Sequence, residues 1–173
     1  MSTPASTPSE TSEPHTKNLY KNLHTTAFAF IESLGYSAHS PAPTHMNIPL
    51  ILSLRTNTYT HSFGHNYFIS TAPPLQGTYT LDEFIAHLTR TTSMLESWQS
   101  EVRDICVDEA KRMVVARAGF WMKVKGEEAV ENDLVWWLWM DGEGRKVERS
   151  IEFLDGVATK KLKKLMDGVA ERS

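Results

Sequence analysis

Cysteine is nearly absent from the sequence: Cys106 is the only one in 173 residues, so the chain cannot form an internal disulfide. Disulfide-stapled secreted domains are therefore excluded, and a reducing compartment, the cytoplasm, is expected. Cys106 falls in a strand-like run with no base beside it in sequence. We expect a packed thiol rather than a nucleophile.

Long apolar runs and strong positive charge are also missing. The strongly apolar run from Leu134 to Met140 is far shorter than the roughly 20 residues of a membrane span. Lys and Arg number 18 against 21 Asp and Glu, which gives a net charge of −3. The one basic cluster, Lys160, Lys161, Lys163 and Lys164, is typical of a solvated helix face. Neither a membrane nor a nucleic acid is expected as a partner.

Aromatic and β-branched aliphatic residues are absent from Ser2 to Thr16, where 11 of 15 residues are Ser, Thr or Pro. This composition predicts a disordered tail over residues 1–17. The rest has an ordinary globular composition, with 40% hydrophobic and 23% charged residues. Its length suits one core, so residues 18–173 are expected to form a single domain.

Helices are predicted where apolar residues recur every three or four positions. Thr80 and Glu83 form a capping box at the start of one of them. A second tolerates Pro49 in its first turn. The predicted helices are Asn18 to Leu34, a stretch from Ile48 that ends near Gly64, Leu81 to Leu95, and Ala158 to Val169.

Proline is absent after residue 74 and histidine after residue 87, while β-branched and aromatic residues become frequent. This change predicts that the second half is sheet. Short turns between the segments favour an antiparallel meander. The predicted strands are Glu101 to Val107, Arg112 to Val124, Val130 to Met140 and Arg145 to Leu154. The layout is α+β, with a curved antiparallel sheet.

One face of the predicted second helix changes from apolar to polar along its length. Its members stand three or four residues apart: Ile51, Leu54, Thr58, His61 and His65. Arg55 and Tyr59 lie on the neighbouring stripe.

His61 can serve as a general acid or base, because an ordinary imidazole titrates near pH 6.5. Two alternatives remain open. His61 and His65 can be half-exposed residues at a helix end, or they can bind a metal, although no HExxH pattern is present. We expect no metal.

Glu152 is the carboxylate that the last predicted strand offers to a pocket. If its face lines that pocket, desolvation raises its pKa toward the range where it can take a proton from carbon next to a carbonyl. The alternative is a surface salt bridge with a cross-strand Lys or Arg. Asp155 suits a cap of the terminal helix or an anchor of the turn.

Four tryptophans fall in one predicted hairpin: Trp121, Trp136, Trp137 and Trp139. Trp137 and Trp139 share a face and Trp136 takes the other, so both faces are apolar. An apolar outer face suggests a subunit interface and thus a homodimer. Aromatic walls also suit a flat ligand, although core packing explains any single Trp equally well.

The order of helices followed by long strands, with the last strand ending Val147-Glu148-Arg149-Ser150-Ile151-Glu152-Phe153-Leu154-Asp155, resembles the SnoaL-like group of the nuclear transport factor two superfamily. The resemblance covers about residues 18 to 170. Ile151, Glu152 and Asp155 match an acid-bearing strand of that group. Arg55, His61 and Asn132 resemble positions of small fungal members from polyketide and terpenoid pathways.

The resemblance implies a cone: a bent sheet wraps around helices and encloses a deep pocket. It implies a cofactor-free isomerase or cyclase acting on a hydrophobic, aromatic polyketide or related intermediate, and dimers formed through the outer sheet face. The superfamily also contains dehydratases and subunits that only bind and transport, so a dehydratase or a non-catalytic binding module remains an alternative. The sequence contains neither GxGxxG nor GxxxxGK[ST], and no cofactor is expected.

The combined hypothesis assigns catalysis to two elements. Glu152 removes a proton, His61 handles the complementary proton, and Arg55 with Tyr59 stabilises enolate charge. The expected substrate-binding residues are Thr58, His65, Trp121, Trp137, Trp139, Asn132 and Asp155.

Overall fold

A computed structural model describes residues 14–40 and 45–171. The helices are α1 (Pro14–Glu32), α2 (Ile48–Ser53), α3 (Asn66–Ser70), α4 (Leu81–Thr92) and α5 (Gly156–Ala170). The strands are β1 (Arg55–Phe63), β2 (Thr78–Thr80), β3 (Leu95–Asp108), β4 (Met113–Val124), β5 (Ala129–Met140) and β6 (Val147–Phe153). A short 3-10 turn lies at Pro73–Leu75.

The six strands form one curved, unclosed sheet in the order β2-β1-β6-β5-β4-β3. The predicted meander is confirmed from β3 to β6, where every neighbouring pair is antiparallel. β1 was not predicted, and it pairs with β6 in parallel. The α+β class is confirmed, but the sheet is mixed rather than purely antiparallel.

The predicted long second helix is wrong. Pro49 and the Asn47 side chain, which accepts a hydrogen bond from the Leu50 amide, start α2, but the helix ends after six residues. The chain continues as β1, which contains three Thr residues, one Tyr and one Phe. β-Branched and aromatic residues favour a strand, and pairing with β2 and β6 outweighs the weak helical pattern.

The remaining helices lie near their predicted positions. α1 begins at Pro14, so residues 14–17 of the tail predicted over residues 1–17 are helical, and residues 1–13 lie outside the described residues. α1 packs on β3 and β4, with Phe30 and Ile31 fully buried. The predicted capping box of α4 is present, with both Thr80 and Glu83 bonded as expected.

The structure also bears on the expectations about a membrane span and about Cys106. No helix in residues 14–40 and 45–171 is long and apolar enough to cross a membrane. Cys106 is exposed on β3, so the expected packed thiol is wrong. Its side chain follows the strand's alternation away from the core.

Candidate active site

A cavity of about 430 Å³ lies between the inner face of the sheet and the helices α4 and α5. Most of its wall is apolar, with Phe120 and Leu134 from the sheet among the lining residues. The polar residues of the wall include His87 from α4, Asn132 from β5 and Glu152 from β6. An apolar pocket with a few polar groups is the usual form of a small-molecule site.

Glu152 is buried in the cavity wall, with 8% of its surface exposed. Burial raises the pKa of its carboxyl group from 4.5 to about 8, so the group is mostly protonated at neutral pH. No Lys or Arg in the described part of the chain lies within ion-pair distance of it. The surface salt bridge considered above is therefore absent, and Glu152 is a buried acid.

His61 stands directly behind Glu152, with Nε2 3.7 Å from Oε2. Its imidazole is 1% exposed, and burial lowers its pKa well below 6.5, with His87 and Arg55 adding repulsion. Since burial favours the neutral form of both groups, we describe the contact as a neutral imidazole beside a carboxylic acid rather than as an ion pair.

Ser150 links His61 to Tyr59 inside the protein. Its hydroxyl lies 2.8 Å from His61 Nδ1 and 2.6 Å from the Tyr59 hydroxyl. The link depends on the parallel pairing of β1 with β6, which places His61 opposite Ser150. The three side chains share the inner face because alternate residues of a strand point the same way.

Arg55 completes this buried group at the start of β1. Its guanidinium lies 4.0 Å from the centre of the Phe30 ring and 5.2 Å from that of Tyr59, and Nη1 donates to the Ile51 carbonyl at 2.7 Å. Burial lowers the pKa of Arg55, and nearby Tyr59 opposes that shift. Burial raises the pKa of Tyr59, and the Arg55 charge opposes it.

The four residues assigned to catalysis are thus close together, but only one of them lines the cavity. Glu152 lines the cavity, whereas Arg55, Tyr59 and His61 lie behind the wall and are each 1% exposed. Arg55 and Tyr59 were expected to contact a developing enolate, but neither residue lines the cavity.

His87 was missed as a site residue by the sequence analysis. It lies in the cavity wall, and its ring is 5.4 Å from Phe63 and 5.7 Å from Tyr79, which are both neighbours of His61 too. Burial, with a smaller contribution from Arg90, lowers the pKa of His87 to about 4. His87 is therefore an unprotonated base at neutral pH.

Asn132, Leu134 and Trp136 occupy every second position of β5, so they share its inner face. All three line the cavity. Asn132 Nδ2 donates to Thr159 Oγ1 at 3.3 Å, but Asn132 Oδ1 and Trp136 Nε1 have no hydrogen-bond partner. Asn132 lines the cavity, as the expected role in binding requires. Trp136 was not assigned to the site.

The other residues expected to bind substrate lie outside the cavity. Thr58 is exposed on the opposite face of β1, because it is an odd number of residues from Arg55, Tyr59 and His61. His65 is exposed before α3 and packs against Phe153. These two expectations followed from the helix that does not form.

Trp121, Trp137 and Trp139 lie on the outer face of the sheet, so the expectation that they line the pocket is wrong. Trp121 packs against Arg103, and Arg149 stacks 3.6 Å above Trp139. Asp155 caps α5, accepting hydrogen bonds from Val157 and Ala158 at 2.8 and 3.1 Å. Of the roles considered for Asp155, the structure therefore shows the cap of the terminal helix.

Three signals in the sequence pointed to the missed residues. His87 stands three residues after Phe84, which marks it as part of a helix face turned toward the core. Ser150 lies two residues before Glu152, and Trp136 lies four residues after Asn132, so each pair shares one face of its strand.

Among the described residues, no group of three or more His, Cys, Asp or Glu converges in a way that suits a metal ion.

Comparison with solved structures identifies the fold. PrhC from Penicillium brasilianum superposes with a TM-score of 0.71 at 18% identity, covering 88% of this chain and 92% of PrhC. BvnE pinacolase from Penicillium brevicompactum gives 0.70 at 15% identity, covering 87% and 94%. A SnoaL-like polyketide cyclase from Shewanella denitrificans gives 0.59 at 11% identity, covering 82% and 96%.

These similarities show that the chain has the SnoaL-like fold of the nuclear transport factor two-like proteins, as the sequence resemblance implied. No protein-family model matches the sequence, and no curated protein matches it. At these identities the shared feature is the fold, and the chemistry has to be argued from the cavity itself.

Proposed function

We propose that the protein is an isomerase or cyclase that works by proton transfer, without a cofactor, on an apolar carbonyl compound from secondary metabolism. One observation carries this proposal. A buried carboxylic acid, Glu152, and an unprotonated imidazole, His87, line the same apolar cavity. An acid and a base that are both in their working protonation states near pH 7 suit enolisation.

In the first step, the Glu152 hydroxyl donates its proton to the carbonyl oxygen while His87 removes a proton from the neighbouring carbon. The electrons of the broken C–H bond form the C=C bond, and those of the carbonyl π bond move to oxygen. The products of this step are an enol, the Glu152 carboxylate and the His87 imidazolium. Charge is conserved, since one cation and one anion form together.

With a β,γ-unsaturated ketone, the enol formed in the first step is a conjugated dienol. In the second step the imidazolium protonates its γ-carbon, the double bonds shift, and the carboxylate regains the proton of the enol oxygen as the carbonyl re-forms. This completes an isomerisation. In a cyclase, the enol carbon instead attacks a second carbonyl carbon of the same molecule, the imidazolium protonates the new alkoxide, and the carboxylate takes the proton of the enol oxygen as its carbonyl re-forms. Both outcomes use the same two groups.

His61 is a positioning residue in this proposal, because it touches Glu152 and does not line the cavity. The bonds through Ser150 fix the imidazole from behind. A fixed neighbour holds the acid in one orientation, and preorganised groups lose less free energy to rearrangement during the reaction.

The fold neighbours support this class of reaction. One is named a pinacolase and another a SnoaL-like polyketide cyclase. A pinacol-type rearrangement also begins when an acid protonates a substrate oxygen, which is the role we give to Glu152. The alternative of a non-catalytic binding module requires shape and apolar walls only, and it leaves the acid and the base unexplained.

Deuterium exchange tests the proposal without the natural substrate. The probe is 4-phenylcyclohexanone in D2O at neutral pH, and proton NMR follows loss of the hydrogens next to its carbonyl. Wild-type protein should accelerate exchange, and Glu152→Gln and His87→Leu should each lower the rate about 100-fold or more. Glu148→Gln, an exposed acid on the same strand, is the matched control. No acceleration by the wild type, or full activity of Glu152→Gln, would contradict the proposal.

A further inference from the structure

Three polar atoms in the cavity wall have no partner, His87 Nδ1, Asn132 Oδ1 and Trp136 Nε1, and the last two belong to side chains that are almost completely buried. Asn132 is 5% exposed and Trp136 is 2% exposed, and both line the cavity. Asn132 Oδ1 is an acceptor and Trp136 Nε1 is a donor, and neither makes a hydrogen bond. A buried polar atom without a partner destabilises the protein, because it has lost its hydrogen bonds to water without replacement. A ligand that supplies both partners removes this destabilisation.

The two atoms belong to different ends of the cavity. Trp136 stands opposite Glu152 in the antiparallel pairing of β5 with β6, which brings the Cβ atoms of such pairs to about 5 Å. Asn132 lies four residues earlier on the same face of β5, which corresponds to about 13 Å along the strand. Leu134 fills the interval with an apolar side chain.

At the Trp136 end, the pairing of Trp136 with Glu152 brings two residues with hydrogen-bond donors to neighbouring positions in the cavity wall. The indole N–H and the protonated Glu152 carboxyl both suit a carbonyl oxygen, which accepts two hydrogen bonds. At the other end, the Asn132 amide is held by Thr159 from α5, which leaves Oδ1 for a donor. The wall between the two ends is apolar, so it suits a ligand whose middle part is apolar and elongated.

We infer that Asn132 and Thr159 form a hydroxyl-binding subsite, and that the substrate is an elongated apolar ketone with a hydroxyl group at the end remote from its reacting carbonyl. This inference rests on the proposed function, because the carbonyl end is placed by Glu152. It adds a binding site for the remote end of the substrate, which extends from Glu152 toward Asn132 along β5. Trp136 orients the carbonyl oxygen, and Asn132 selects the hydroxylated compound.

A matched pair of ligands tests the subsite. 4-(4-Hydroxyphenyl)cyclohexanone carries a hydroxyl at the end opposite its carbonyl, and 4-phenylcyclohexanone lacks it. Calorimetry with wild-type protein should give a Kd about tenfold lower for the hydroxylated compound, since an unpaired buried acceptor is satisfied only by that ligand. Asn132→Leu, which keeps the size of the side chain, should reduce the ratio of the two Kd values to near one.

Thr159→Val is the second variant, because it removes the bond that orients the amide and leaves the shape of the wall. It should lower the ratio of Kd values without changing the Kd of 4-phenylcyclohexanone. Leu134→Val is the control, since it weakens contacts that both ligands share and should leave the ratio unchanged.

Equal Kd values in the wild type, or a preference that survives in Asn132→Leu, would overturn the subsite. Neither outcome touches the deuterium exchange, which depends on Glu152 and His87 and uses the compound without a hydroxyl. Failure of both compounds to bind would overturn the subsite together with the assignment of the cavity to apolar ketones. Loss of exchange with the Kd preference intact would contradict the proposed function alone.

Discussion

The imidazole of His61 meets the carboxyl group of Glu152 at the inner surface of the sheet, with Nε2 3.7 Å from Oε2. Neither group gains a charge from the contact, because burial favours the neutral form of both. Burial therefore keeps Glu152 in its protonated form beside His61. That state is the starting point for the predictions below.

The first prediction concerns the pH dependence of deuterium exchange. The reaction needs protonated Glu152, with a pKa of about 8, and unprotonated His87, with a pKa of about 4. The rate should be nearly constant between these values and fall about tenfold per pH unit above pH 8. A pH–rate profile measured by NMR checks this. A rate that rises through pH 8 would assign Glu152 as the base in the first step.

The second prediction concerns stability. The pKa of Glu152 is raised from 4.5 to about 8 by folding, so the folded protein keeps a proton that the unfolded chain loses. Its contribution is complete below pH 4.5 and is lost as pH rises through 8. Below 6.5, His61 and His87 oppose this trend, because their pKa values are lowered by folding.

Between pH 6.5 and 8 the Glu152 contribution therefore stands out. The free energy of unfolding should fall by about 2 kcal/mol across that range, at about 1.4 kcal/mol per pH unit. Glu152→Gln should remove this slope, whereas Glu148→Gln should keep it. Urea titrations at several pH values measure both slopes, and identical slopes in all three proteins would refute the raised pKa.

The third prediction concerns Ser150. Ser150→Ala leaves the Tyr59 hydroxyl and His61 Nδ1 buried without the partner they share, so stability should fall by about 1–3 kcal/mol. Tyr59→Phe removes one of the bonded groups itself and should cost less from lost hydrogen bonding. Ser62→Ala, on the other face of β1, is the control. Equal unfolding free energies for Ser150→Ala and Ser62→Ala would contradict the linking role.

The fourth prediction is the homodimer. Trp137 is 39% exposed on the outer face of the sheet, and its ring lies 5.8 Å from Phe153 and 6.0 Å from Trp139. A cluster of exposed aromatic side chains suits a subunit interface. Sedimentation should give a dimer for the wild type and a monomer for Trp137→Arg. Tyr67→Arg, at a separate site that is 86% exposed, should remain a dimer. A monomeric wild type would refute the prediction.

The sequence predicted the antiparallel half of the fold because strand alternation and short turns are local signals. It did not predict β1. Leu54, Thr58 and His61 stand three or four residues apart, which fits one face of a helix, but this spacing alone does not exclude a strand. Arg55, Tyr59 and His61 still came together, because even spacing puts them on one face of a strand as well. Thr58 breaks that parity, and its predicted place failed.

The candidate site was predicted only in part. Glu152 could be found because its neighbours Ser150 and Leu154 mark one face of a strand and the family resemblance points to it. His87, Trp136 and Ser150 gained their roles from the way that α4 and β1 pack on β5 and β6, which depends on contacts between residues far apart in sequence. Local patterns do not encode such contacts, and only the assembled sheet shows them.

The parallel pairing of β1 with β6 has a consequence for the order of assembly during translation. His61 and Ser150 are 89 residues apart, and β3, β4 and β5 are synthesised between them. β1 leaves the ribosome long before its principal neighbour exists, so it must wait beside a growing β3-β4-β5 sheet that it cannot join. Closing so long a loop is slow. The acid, its supporting histidine and the serine between the strands can come together only after β6 has been synthesised, and a nascent chain without β6 has no reactive centre.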